Sequence, residues 1–111
     1  MRAEALKGHL DAMLLAALEG GPQHGYAVIE ALRQSTGGRL DLPTGTIYPA
    51  LRRLEQAGLI AGSWSVVGGR RRREYQLTTA GDRALSGRRA DWRDFSAMVT
   101  AALEGPCPNP A

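Results

Sequence analysis

Cysteine is almost absent from this 111-residue chain: Cys107 is the single one, and it stands in the tail GPCPNPA. One cysteine permits no intramolecular disulfide, so a disulfide-stapled scaffold is excluded and a reducing, cytoplasmic setting is expected. An intermolecular disulfide through Cys107 is the one redox role left open. Long apolar runs are missing too. Glu4, Lys7, His9 and Asp11 interrupt the N-terminal segment where a signal peptide needs an unbroken apolar core, and no membrane partner is expected. There are only two histidines, His9 and His24, with Asp11 the one acid near a metal-ligand spacing, which is too few donors for a metal site. No glycine-rich segment ends in the Lys-Ser or Lys-Thr of a phosphate loop. Cys107 has no base beside it. An enzyme is therefore not expected, nor a cofactor.

Lysine is scarce as well. Of 14 basic residues all but Lys7 are arginine, against 11 acids, giving a formal charge of +3. That bias is mild, but its distribution is not, because four arginines are consecutive at Arg70–Arg73. Arginine suits bidentate contact with phosphate and guanine. Aromatic residues make up only 5%, so each ring is worth locating. The 43% hydrophobic content is that of a folded chain, and the length suits one compact domain. A core this small leaves an added helix short of cover, and a second subunit is a common source of it.

Hydrophobic spacing predicts the elements. In HLDAMLLAALE, residues 9–19, Leu10, Leu14 and Leu18 recur every four residues, a helix stopped by Gly20-Gly21-Pro22. GYAVIEALRQS, residues 25–35, makes a second helix with Val28, Ile29 and Leu32 inward, and residues 39–42 an extended link. PTGTIYPALRRLEQAGLI, residues 43–60, makes a third: Ile47, Leu51 and Leu54 form one stripe, and Gly58 is the stop. Its start falls between Thr44 and Thr46, because Pro49 must lie near the first turn. Residues 59–67 and 71–78 read as two strands joined at Gly68-Gly69, a hairpin with arginines at its tip. Thr78 is a good N-cap for a last helix over 79–104, weakened a little by Gly87. There is no internal repeat.

Three helices followed by a β-hairpin is the order of a winged helix-turn-helix, mainly α with a small β-hairpin. In that architecture the third helix enters the major groove of double-stranded DNA and the hairpin touches backbone or minor groove. Around the third helix, Pro49, Arg52, Arg53 and Gln56 lie opposite the apolar stripe, with Tyr48 on the flank. Thr44 and Thr46 sit at its start, where hydroxyls and free N–H groups can hold phosphate. A polar outer face can also be merely solvated, and Glu55 on it does not favour DNA. A four-arginine turn can be merely solvated too. The two together favour DNA, with Arg53 expected on the backbone. The alternative is a winged helix used for protein contact without DNA binding.

The blocks LDAMLLAALEGGPQHGYAVIEALRQ, LPTGTIYPALRRLEQAGLI and GGRRRREYQLTTAGDRAL resemble the PadR family of bacterial transcriptional regulators, in its small subfamily, over residues 9–104. The resemblance implies a DNA-binding domain over 1–78 and a dimerisation helix over 79–104, while the residues GPCPNPA themselves read as a flexible tail over 105–111. It implies a repressor, released from its operator by a small phenolic or drug-like effector. It puts Thr44, Thr46, Tyr48 and Arg52 on the recognition helix and Arg70, Arg71, Arg72 and Arg73 on the wing. Tyr26 and Tyr75 fall where the family packs aromatics for structure. SWSVVGG departs from the acidic-then-tryptophan pattern expected between the strands, which bears on wing length.

On the last helix Leu85, Trp92 and Val99 are seven apart, and Phe95, Met98, Ala102 and Leu103 widen the stripe. Little chain remains to cover it, which suggests the partner of a homodimer. The same stripe could instead fold back on the first helix, and Leu14 there could meet the partner's last helix. Leu14, Leu85, Trp92, Phe95, Val99 and Leu103 are thus the expected dimer residues. Trp92 and Phe95 could line a flat site for a small aromatic effector, or simply pack.

Overall fold

The computed structural model describes residues 8–105. In chain order the elements are α1 (Leu10–Ala17), β1 (Gln23–His24), α2 (Gly25–Ser35), α3 (Thr44–Gln56), β2 (Ile60–Val67), β3 (Arg70–Leu77) and α4 (Thr79–Glu104). The three-stranded antiparallel sheet has the order β1-β3-β2, with Ile60 opposite Leu77 and Val67 opposite Arg70 in the hairpin.

The hairpin expected from the sequence is present, but β1 is an added strand. Gln23 pairs with Tyr75 and His24 with Glu74. Two residues are too few to show any alternation, so only the folded chain reveals them. His24 then serves as N-cap of α2, where its Nδ1 accepts from the Ala27 amide at 3.4 Å.

One face of each helix meets in a single core. Leu14, Leu15 and Leu18 come from α1 and its cap, Val28 and Leu32 from α2, and Ile47, Ala50, Leu51 and Leu54 from α3. Leu40 and Leu42 of the link, Ile60, Tyr75 and Leu85 close it. The first turns of α4 thus belong to the same core as the helices before them.

The ends of α3 are built from local chemistry. At its C-terminus the Leu59 amide reaches the Leu54 carbonyl and the Gly58 amide that of Glu55, both at 3.0 Å, with Gly58 at φ 78°. This is the Schellman closure that a glycine permits. The helix begins at Thr44, within the expected range of starts, which puts Pro49 in its second turn. Proline has no N–H to offer the Gly45 carbonyl, and that lost bond lies on an exposed face where water can replace it. Thr78 caps α4 as expected: its hydroxyl accepts from the Gly81 amide at 3.1 Å and donates to the Gly58 carbonyl at 2.6 Å. A 26-residue helix is about 39 Å long, which stretches the molecule to 66 Å in one direction.

Candidate nucleic-acid interface

Helix α3 buries Ile47, Ala50, Leu51 and Leu54 and leaves the opposite face outside. Thr44, Thr46, Pro49, Arg52 and Gln56 are all exposed. Tyr48 is positioned by α2: its ring lies over Gly25 and meets the Tyr26 ring edge-on at 6.4 Å. Burial against these neighbours raises its phenol pKa. Of the two tyrosines expected to pack for structure, Tyr75 is buried in the core, whereas Tyr26, 64% exposed, packs at the surface against Tyr48.

The four wing arginines are not equivalent. Gly68 and Gly69 have φ of 58° and 77°, the two positive values that a two-residue type I′ turn needs. Arg70 follows the turn directly. Alternation along β3 puts Arg70 and Arg72 on one face and Arg71 and Arg73 on the other, the face that leads down to Tyr75 and Leu77. Arg70, Arg71 and Arg72 are exposed and make no ion pair with any described residue. Arg73 differs. Its Nη2 is 2.5 Å from Glu55 Oε2, and it is only half-exposed. Arg71 lies 4.6 Å and Arg73 5.3 Å from the centre of the Trp64 ring. Arg73 therefore points at α3 and not at the wing tip.

Arg53 is also engaged within the chain, 2.6 Å from Asp11 of α1, although it stays exposed. Arg52 makes no ion pair with a described residue. Sequence reasoning placed Glu55 on this surface without its partner Arg73, and missed Asp11 and Trp64 as parts of it. Asp11 and Glu55 are recruited by residues 42 and 18 positions along the chain, and Trp64 by Arg71 and Arg73 across the hairpin, and no local pattern marks such partners.

The expected dimer residues of α1 and α4 divide. Leu14 and Leu85 are 0% and 2% exposed, inside the core of one chain, which removes them from any surface that a partner can cover. The stripe signalled an apolar face, and this chain's own helices cover its first part. Beyond it, Trp92, Phe95, Met98 and Leu103 are 52%, 52%, 61% and 81% exposed, and Val99 is half-buried. Trp92 touches His9 edge-on at 5.2 Å and lies 6.3 Å from the Phe95 ring. A shallow cleft of about 310 Å³ lies where α1 meets α4, between Leu15, Leu59, Gly87 and Asp91. Cys107 lies outside the described residues. No helix among them is long and apolar enough to cross a membrane.

A helical core, an exposed third helix and a cationic hairpin beside it define a winged helix-turn-helix with a long C-terminal helix. The model of the transcriptional regulator PadR-like family matches residues 14–87. The chain belongs to that family, and it is a transcriptional regulator of the PadR type. It is similar to a PadR family transcriptional regulator from Eggerthella lenta, 32% identical with a TM-score of 0.81, over 93% of this chain and 88% of that one. A PadR family regulator from Clostridium difficile is 32% identical with a TM-score of 0.74, over 88% of this chain and all of that one (100%). Among curated proteins, the transcriptional regulator Rv3488 of Mycobacterium tuberculosis is 51% identical over 61 residues, 55% of this chain and 54% of that protein.

Proposed function

We propose that this regulator acts as a homodimeric repressor that binds an operator in double-stranded DNA. Thr44, Thr46, Tyr48 and Arg52 enter the major groove, and Arg70, Arg71 and Arg72 hold phosphates from the wing. Arg53 reaches the backbone once DNA competes with Asp11. The observation that carries this reading is the set of exposed arginines, on α3 and on the wing, that have no acidic partner among the described residues. A buried or internally paired cluster would have served the fold instead.

The exposed stripe of α4 from Trp92 to Leu103 is the dimer face, covered by the same stripe of a second copy. Two copies give the two-fold arrangement that paired half-sites require. Trp92 and Phe95, at the start of that face, take a planar aromatic or phenolic effector that releases the operator. Titrating such compounds while following tryptophan emission tests the effector site; emission and operator affinity unchanged across the panel would remove it.

DNA binding is tested with a labelled duplex from upstream of this protein's own gene, across a salt series. The comparison is a variant with Arg70, Arg71 and Arg72 changed to alanine. Each lost phosphate contact should make the log–log salt slope shallower by about 0.9. Absence of binding to this and to random duplex at low salt would defeat the reading and favour a winged helix used for protein contact.

A further inference from the structure

Glu55 is an acid on the helix that faces DNA in the reading above, and Arg73 belongs to a run of wing arginines. Taken singly, one should weaken DNA binding and the other strengthen it. The structure joins them. The pair at 2.5 Å bridges α3 and β3 and is half-shielded from water on both sides, with each side chain 30% exposed. It crosses β2 at Gly62, where a Cβ would stand 2.8 Å from both Arg73 Nη2 and Glu55 Oε2. Any larger residue at Gly62 would push the bridge aside. Trp64 stands directly opposite Arg73 across the hairpin, and Arg71 is diagonal to it. The two guanidiniums, at 5.3 and 4.6 Å from its ring centre, are both within cation–π range. Like charges two apart on one face repel. The carboxylate of Glu55 and the ring of Trp64 offset that repulsion and order both arginines.

We propose that Glu55, Arg73 and Trp64 are positioning residues. The chain Glu55–Arg73–Trp64–Arg71 sets the wing at a defined distance from α3, so that both reach one duplex together. Arg73 is then not a phosphate contact, and the wing's DNA-facing charge is Arg70 to Arg72. This rests on the DNA-binding reading above.

The sign of one substitution separates this role from its alternative. A merely solvated Glu55 repels DNA, so Glu55→Gln would tighten binding. A positioning Glu55 makes Glu55→Gln bind the operator about fivefold more weakly, as coupled contacts of this kind do. Arg73→Gln should show a similar loss with an unchanged salt slope, and the double variant should be no weaker than either single one. Gly62→Ala, which shifts the bridge without changing charge, should also weaken operator binding. In all of them the ratio of operator to random-duplex affinity should fall, because random DNA needs no joint docking. Equal or tighter operator binding by Glu55→Gln, or a slope shallower by about 0.9 in Arg73→Gln, would overturn the positioning role. Failure of the wild-type chain to bind any duplex would instead defeat the DNA-binding reading and this role with it.

Discussion

Gly25 lies directly under the ring of Tyr48: a Cβ on Gly25 would come within 2.6 Å of that ring and of its hydroxyl. The second helix thus begins with a residue chosen for what it lacks, and α3 carries its aromatic side chain into the space. Gly25→Ala should displace Tyr48 and destabilise the fold by about 1–3 kcal/mol, the usual cost of overpacking. Chemical denaturation measures the loss. An unchanged midpoint would mean that the ring is free to move.

Two glycines of α4 should respond in opposite directions. A Cβ at Gly81 would run into the Leu59 carbonyl, because α4 crosses the backbone there without a side chain between. Gly81→Ala should cost at least about 1–3 kcal/mol. Around Gly87 a Cβ would meet nothing within 4 Å, and its backbone is helical. Gly87→Ala should stabilise by up to about 1 kcal/mol, the difference in helix propensity. Thermal melts of the two variants would test the pair, and destabilisation by Gly87→Ala would contradict the open environment described.

Acid should weaken the tie between the turn that follows α1 and the last helix. Two hydrogen bonds of 2.8 Å from Arg89 hold the Glu19 carboxyl below its ordinary pKa of 4.5. A depressed carboxylate contributes stability that is complete above its unfolded value and is lost as pH falls through the folded one. The effect is small, because the pair is exposed. Wild-type stability should therefore fall more steeply below pH 4.5 than that of Glu19→Gln, and should exceed it at neutral pH. Parallel profiles from melting curves would show that the pair is neutral.

The exposed stripe of α4 makes a prediction about assembly. If the proposed dimer forms through this face, Phe95→Glu and Leu103→Glu should each yield monomers at concentrations where the wild-type chain dimerises. A charge cannot be buried in an apolar helix seam without a partner. Sedimentation analysis reads this directly, with helical content by circular dichroism as the check on folding. Dimers in both variants would move the interface elsewhere.

Much of the fold was legible because its signals are local. The stripe Ile47, Leu51, Leu54 repeats within one helix, Gly58 and Thr78 mark ends by their own backbone or hydroxyl chemistry, and the Gly68-Gly69 turn sets the hairpin. Even the 79–104 helix was delimited as observed. The surface was less legible. Arg53 and Asp11 are 42 positions apart, and Arg73 and Glu55 are 18 apart. Four consecutive arginines look alike as letters, yet one of them is turned inward to α3.

What the sequence determined by itself, then, is the inventory of this PadR-type regulator: four helices, a basic hairpin, and faces that must be apolar or polar. Hydrophobic period and capping act within a few residues, so they can be read from neighbours in the chain. The tertiary structure decided which apolar residues are already covered and which charges are already paired. Leu14 and Leu85 went to the core while Trp92 to Leu103 stayed outside, because α1 covers only the start of a helix about 39 Å long. Arg73 went to Glu55 because Gly62 left room for the bridge to cross. Such choices depend on distances across the fold, which no local spacing encodes.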